Sequence, residues 1–224
     1  MENEIVHLER LNLIGQMAAG IGHEIRNPLT TIRGFLQILG RKTAYVNEKS
    51  YFELMISELD RANSIITEFL SLTKNKSDNM ELANLNTILD QLYPLIQADA
   101  LNQNKNITLE INPVKDFYIN KKEIHQLILN LVRNGLEAMD PGGNITIKTY
   151  MDDVNGVFLI KDEGKGIEQE ILHKLGTPFL TTKPEGTGLG LATCYSIAER
   201  NNASIEVETS PQGTTFWIKF KTID

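Results

Sequence analysis

A single cysteine, Cys194, and a single tryptophan stand in 224 residues. One cysteine excludes any intrachain disulfide and fits a reducing compartment. It lies in the apolar run Leu191-Ala192-Thr193-Cys194-Tyr195-Ser196-Ile197-Ala198, where a free thiol behaves as a small buried hydrophobe. Basic charge is also short: 22 Lys and Arg stand against 29 Asp and Glu, a formal net charge of −7. That balance argues against a phosphate-tracking nucleic-acid binder. No apolar run approaches the roughly 20 residues that span a bilayer. The opening residues, with Glu2, Glu4, Glu9 and Arg10, do not form a signal peptide. The expected location of this stretch is therefore cytoplasmic, with a membrane-anchored parent chain left open.

What the chain does have is heptad patterning. Leu11, Ile14, Ala18, Ile21, Ile25, Pro28, Ile32, Phe35 and Leu39 recur at spacings of three and four, which predicts a long helix with an apolar seam. Gly40 suits its end, and residues 41–47 form a polar connection. Phe52, Met55, Leu59, Ala62, Ile66 and Phe69 then set a second, antiparallel helix. Two helices cannot cover such seams alone, so two chains are expected to pair into a four-helix bundle.

Residues 74–79 (Lys-Asn-Lys-Ser-Asp-Asn) are polar and without period, and the domain boundary is placed there. Residues 1–76 are read as the helical domain, 77–82 as a linker and 83–224 as a second domain. Helices near 84–104, 121–139 and 188–201 there alternate with strands at 107–111, 145–150, 157–160, 205–208 and 214–220. The expected fold is an α+β sandwich, helices on one face of a mixed sheet.

Three segments of the second domain carry chemistry. Asp162-Glu-Gly164-Lys-Gly166 follows a strand. An acidic side chain there can accept from an exocyclic amine while glycines close around a flat ring, although the same pattern also serves plain turns. Thr181-Thr182-Lys183-Pro-Glu-Gly186-Thr-Gly188-Leu189-Gly190 precedes an apolar helix. Its backbone N–H groups and the positive helix end suit phosphates, and Lys183 and the threonines add donors. The spacing is neither a dinucleotide fingerprint nor a Walker loop, and a merely flexible glycine loop stays open. On the helix from Glu123 to Met139, Ile124, Leu127, Ile128, Leu131 and Ala138 face a core. Gln126, Asn130, Asn134 and Glu137 form a polar stripe. Asparagine is a poor mid-helix residue, and a carboxamide oxygen suits Mg²⁺.

Asn130-x-x-x-Asn134, Asp162-x-Gly-x-Gly166 and Gly186-x-Gly-x-Gly190, in that order, resemble the N, G1 and G2 boxes of the histidine-kinase catalytic domain. Phe179 stands at the F box. The resemblance implies that ATP is bound, that Asn134 holds Mg²⁺ with Asn130 assisting, and that Asp162 reads the adenine amine. It further implies that Thr181 to Gly190 form a lid over the phosphates, and that Gly213-Thr214 flanks the adenine.

The phosphoacceptor reading begins from His23-Glu24-Ile25-Arg26-Asn27-Pro28-Leu29. The heptad puts His23 at an outer, exposed position. Pro28 is expected to interrupt the helix, costing about 3 kcal/mol and freeing the carbonyl of Glu24. Imidazole with an ordinary pKa of about 6.5 is mostly neutral at pH 7 and can attack phosphorus. The adjacent carboxylate can take its other proton. His7, His125 and His173 have no such neighbours.

His-Glu-Ile-Arg-Asn-Pro-Leu-Thr resembles the H box of histidine kinases, and the continuation Thr31-Ile-Arg-Gly-Phe-Leu-Gln37 looks close to the sporulation kinases of spore-forming bacilli. The resemblance implies phosphorylation of His23, help from Glu24 in transfer, and a role for Asn27 in positioning water for receiver dephosphorylation. As partners it implies a homodimer, a response-regulator receiver and a protein inhibitor of the helical bundle. A nucleotide-driven clamp ATPase of the same fold is the first alternative, against which His23-Glu24 speaks. A scaffold without chemistry is the second, against which both asparagines, Asp162 and the lid glycines speak.

Overall fold

A computed structural model describes residues 24–72, 79–183 and 186–222. The chain divides into two compact units, Met1–Asn75 and Lys76–Asp224.

In the first unit, residues 24–40 are helical (α1). A 3₁₀ stretch at Thr43–Glu48 leads into α2 (Lys49–Leu72). The cross-contacts fix an antiparallel hairpin. Arg26 Nε donates to Asn63 Oδ1 and Arg26 Nη2 to Thr67 Oγ1, both at 3.2 Å, while Arg33 grips both carboxylate oxygens of Asp60 at 2.7 and 3.2 Å. Gly40 packs against Phe52. Arg26, Leu29, Arg33 and Leu36, at alternating spacings of three and four, are half-buried on α1, as are Gly34, Leu39 and Gly40.

The apolar seam read from the sequence, which a second chain is expected to cover, is left open in the single chain: its members Ile25, Ile32 and Phe35 remain 42%, 48% and 62% exposed. Both stripes repeat every seven residues, and periodicity alone does not say which of them meets the neighbouring helix in the same chain. One expectation is corrected: α1 runs through Pro28 without interruption. Proline removes one backbone donor, but interhelical bonds and packing hold the helix on both sides of it. Thr30 and Thr31 hydroxyls add bonds to the carbonyls of Arg26 and Asn27, at 2.9 and 3.1 Å. The expected exposure of His23 lies outside the described residues.

The second unit opens with β1 (Glu81–Asn84), which starts inside the stretch read as linker and pairs antiparallel with β3 (Asp116–Ile119). Four-residue strands are too short to show a period of two convincingly, which is why neither was read. The main sheet runs β2 (Asn106–Ile111), β4 (Asn144–Asp152), β5 (Asn155–Lys161), β7 (Gly213–Lys221), β6 (Ala203–Ser210). Only the β2–β4 pairing is parallel. Three helices supply the other layer: α3 (Leu85–Asn102), α4 (Lys121–Ala138) and α6 (Gly190–Arg200). A short α5 (Gln169–Leu172) lies in the connection before α6. Alternate strand residues Ile145 and Ile147, and Phe216, Ile218 and Phe220, join Leu85, Leu89, Leu127, Leu131 and Ile197 in one core. That is the expected sandwich.

Helix α4 is held by its ends. Asn120 caps it by accepting from Glu123 N–H. Both Glu123 oxygens are then taken, by Arg200 at 3.1 Å and Asn201 at 2.9 Å, which ties α4 to the end of α6. At the other end the nearly buried Lys105 ammonium donates to the carbonyl of Leu136, a cation on a helix C-terminus.

Candidate functional site

The predicted residues of the second unit converge at the C-terminal half of α4, the β5 end and the start of α6. Asp162 follows β5 and is 3% exposed. Its Oδ1 accepts from the backbone N–H of Gly164 at 2.8 Å and of Thr214 at 3.2 Å, and its own N–H donates to Thr214 O at 2.9 Å. Burial pushes the Asp162 carboxyl above the usual range, opposed by those N–H groups and by the charge of Lys183. With both bonds on Oδ1, Oδ2 keeps its accepting capacity and lies on the side of Gly135.

Glycines shape the walls. A Cβ at Gly213 (φ +140°) would stand 2.0 Å from the Asp162 carbonyl, and one at Gly166 (φ +74°) would stand 2.1 Å from Ser210 O. The loop 162–167 is thereby pressed onto the β6–β7 hairpin, where Ile167 N–H donates to Thr209 Oγ1 at 2.8 Å and the Thr209 and Thr214 hydroxyls meet at 3.1 Å.

Asn130 and Asn134 are both half-buried on α4. The Asn130 amide reaches the carbonyl of Gly190 at 3.4 Å. Among the described residues nothing pairs with the Asn134 amide, so its oxygen remains a hard ligand. No group of three or more His, Cys, Asp or Glu among the described residues could hold a metal. A lone carboxamide oxygen suits Mg²⁺ that takes its remaining ligands from phosphate oxygens and water.

At the glycine loop, Gly188 (φ +68°) lies so close to Phe179 that a Cβ would meet its carbonyl carbon at 2.4 Å. Leu189 is fully buried and anchors the start of α6, whose N-terminus no side chain caps. Its first N–H groups remain available to an anion. Thr182 is exposed. Lys183, expected among the phosphate donors, is ion-paired instead with Glu137 of α4. Gly135, Thr209 and the Glu137–Lys183 pair were not read from the sequence. Glu137 had left a signal in its place on the polar stripe and Lys183 in its place in the glycine loop, but not their pairing.

In the first unit Glu24 and Asn27 are exposed on α1; His23 lies outside the described residues. Among them, no helix is long and apolar enough to cross a membrane.

Comparison with known families agrees with this geometry. Residues 13–78 match the His Kinase A (phospho-acceptor) domain, and residues 119–223 match the histidine kinase-, DNA gyrase B- and HSP90-like ATPase domain. The chain belongs to the histidine-kinase family and carries its phosphoacceptor and ATPase modules. It is similar to sporulation kinase C of Bacillus subtilis (strain 168), 37% identical over 94% of this chain and 49% of the relative. It is also similar to sporulation kinase A of the same organism, 39% identical over 98% of this chain and 36% of the relative. The chain thus spans half or less of the length of these relatives.

Among solved structures, histidine kinase ThkA in complex with response regulator protein TrrA is 28% identical, with a TM-score of 0.68, over 99% of this chain and 66% of that one. Full-length ShkA in complex with AMPPNP shares the fold at a TM-score of 0.83 and 20% identity, over 93% of this chain and 46% of that one.

Proposed function

We propose that this chain is a protein-histidine kinase core that binds Mg-ATP at Asp162 and the glycine loop, phosphorylates His23 and passes the phosphoryl group to a receiver aspartate. The observation that carries the reading is the pairing of a buried, half-satisfied Asp162 carboxylate with an uncapped α6 N-terminus preceded by glycines. The first suits the adenine amine and the second the polyphosphate. Asn134, assisted by Asn130, would hold Mg²⁺, which supplies charge neutralisation on the phosphate oxygens. Gly164, Gly166 and Thr214 enclose the base. Thr181, Thr182, Lys183, Gly186, Gly188, Leu189 and Gly190 belong to the phosphate side.

In the transfer, a ring nitrogen of His23 forms a bond to the γ-phosphorus while the bond to the β–γ bridging oxygen breaks, and ADP leaves. The proton of the other ring nitrogen passes toward Glu24, an acceptor at neutral pH. A receiver aspartate then attacks the phosphohistidine, and the N–P bond breaks. Asn27 cannot act as a base, but its amide can hold a water in line with the resulting acyl phosphate, which gives the chain receiver phosphatase activity.

Residues 1–76 would act as the dimerisation and phosphotransfer domain and 83–224 as the catalytic domain, joined by 77–82. The exposed Ile25, Ile32 and Phe35 stripe supports pairing of two chains. The similarity to ThkA, solved with its response regulator, supports a receiver as second substrate. Incubation with γ-labelled ATP tests the reading: label should be lost in acid and absent from His23→Gln, whereas acid-stable label would refute it. Glu24→Ala should bind ATP normally and label about 10²–10⁴-fold more slowly. Asn27→Ala should still label and transfer, but no longer speed receiver dephosphorylation. Equal loss of labelling in both variants would overturn the division of roles.

A further inference from the structure

Glu137 is the one acidic side chain on the site-facing stripe of α4; Gln126, Asn130 and Asn134 are neutral. It stands one turn beyond Asn134, and the side chain that meets it is Lys183, from the glycine loop 46 positions away. Lys183 N–H donates to Thr181 Oγ1 at 3.0 Å, and its carbonyl accepts from Gly186 N–H at 3.1 Å. Gly186 lies close to the same hydroxyl: a Cβ there would stand 2.4 Å from Thr181 Oγ1. The same ammonium is near enough to Asp162 to favour its ionised form. One lysine therefore neutralises Glu137 by contact and acts on the base-reading carboxylate through its field.

The two side chains remain 40% and 42% exposed. A pair so open to water shifts an equilibrium by no more than about five-fold, so an incoming polyphosphate can take the lysine from it. That exchange leaves Glu137 as a bare negative charge beside the phosphates, which disfavours the complex unless a divalent cation offsets it.

We propose that Glu137 and Lys183 form an exchangeable ion pair that makes polyphosphate binding depend on a divalent cation. Without ligand, Lys183 is held in reserve by Glu137. With Mg-ATP, Lys183 moves to the polyphosphate and the metal's charge offsets Glu137. With metal-free ATP, the uncompensated carboxylate opposes binding. This rests on the nucleotide reading above and assigns Glu137 as a positioning residue that tunes metal dependence.

Isothermal titration of the full 224-residue chain with ATP and with adenosine, each in EDTA and in Mg²⁺, tests it. Glu137→Gln should raise affinity for metal-free ATP about three- to five-fold, leave adenosine unchanged and shrink the gain from Mg²⁺. Lys183→Met should weaken ATP and spare adenosine, with a larger loss in the Glu137→Gln background, where the lysine is already released. An unchanged or weakened metal-free affinity in Glu137→Gln overturns the proposal while the nucleotide reading stands. Equal Lys183→Met losses in the two backgrounds do the same. A wild-type chain that binds neither ligand refutes both. Should Glu137→Gln fail to fold, Lys183→Met decides by itself: loss for ATP alone supports the exchange, and equal loss for adenosine overturns it.

Discussion

Replacing Asp162 by asparagine isolates base recognition from folding. Oδ1 of Asp162 accepts two backbone N–H groups, at 2.8 and 3.2 Å. An asparagine keeps both bonds only by leaving its oxygen in place, because the flipped amide would set a donor against two donors. Its NH₂ must then occupy the Oδ2 position on the Gly135 side. An acceptor for the adenine amine becomes a donor facing a donor. The lost bond is one to a charged group, worth about 1.5–3 kcal/mol, so ADP affinity should fall about ten- to 150-fold.

Stability should not fall with it. Burial already disfavours the charged carboxylate, and a neutral amide removes that penalty while keeping the backbone bonds. The same geometry makes the amide a complement to a 6-keto purine, so inosine diphosphate should gain relative to ADP. Titration with both nucleotides, alongside a thermal melt without ligand, reads all three effects. ADP binding within two-fold of wild type, with the melt unchanged, would refute Asp162 as the base reader.

The raised Asp162 pKa gives a pH dependence whose sign follows directly. The folded state holds this proton more tightly than the unfolded chain does, so the contribution of this group to stability is fully present below the unfolded carboxyl value near 3.8 and is lost as pH rises through the higher folded value. Nucleotide affinity should move the other way, weakening as pH falls through that window; an Asp162→Asn variant should show no such slope, and a retained slope would assign it to another group. Phe35→Asp, on the stripe left 62% exposed, should shift sedimentation of the full chain from dimer toward monomer with little change in helix content, and an unaffected dimer would move the interface elsewhere. Gly213→Ala should cost at least about 1–3 kcal/mol of second-unit stability, since φ is +140° and the new Cβ would lie 2.0 Å from Asp162 O; an unchanged denaturant midpoint would contradict that packing.

The amino-acid order by itself determined most of the elements and the chemistry each can carry. Heptads gave two long helices because a buried stripe must recur every 3.5 residues. Alternating apolar residues at 145–150 and 214–220 gave strands because successive side chains face opposite ways. Asparagines in mid-helix and clustered glycines stood out because they cost stability wherever packing alone is served. The order of these motifs was enough to name the family.

Only the tertiary structure decided which of two adjacent heptad stripes on α1 meets α2, since both have the same period and the choice depends on Arg26 and Arg33 finding Asn63, Thr67 and Asp60. It joined β1 to β3, because a four-residue strand is defined by its partner more than by its own pattern. It brought Thr214 onto Asp162 from 52 residues away and Lys183 onto Glu137 from 46. Contacts of that span follow from the packing of β5, β7, α4 and α6 around one core, and a local sequence window carries no term for them.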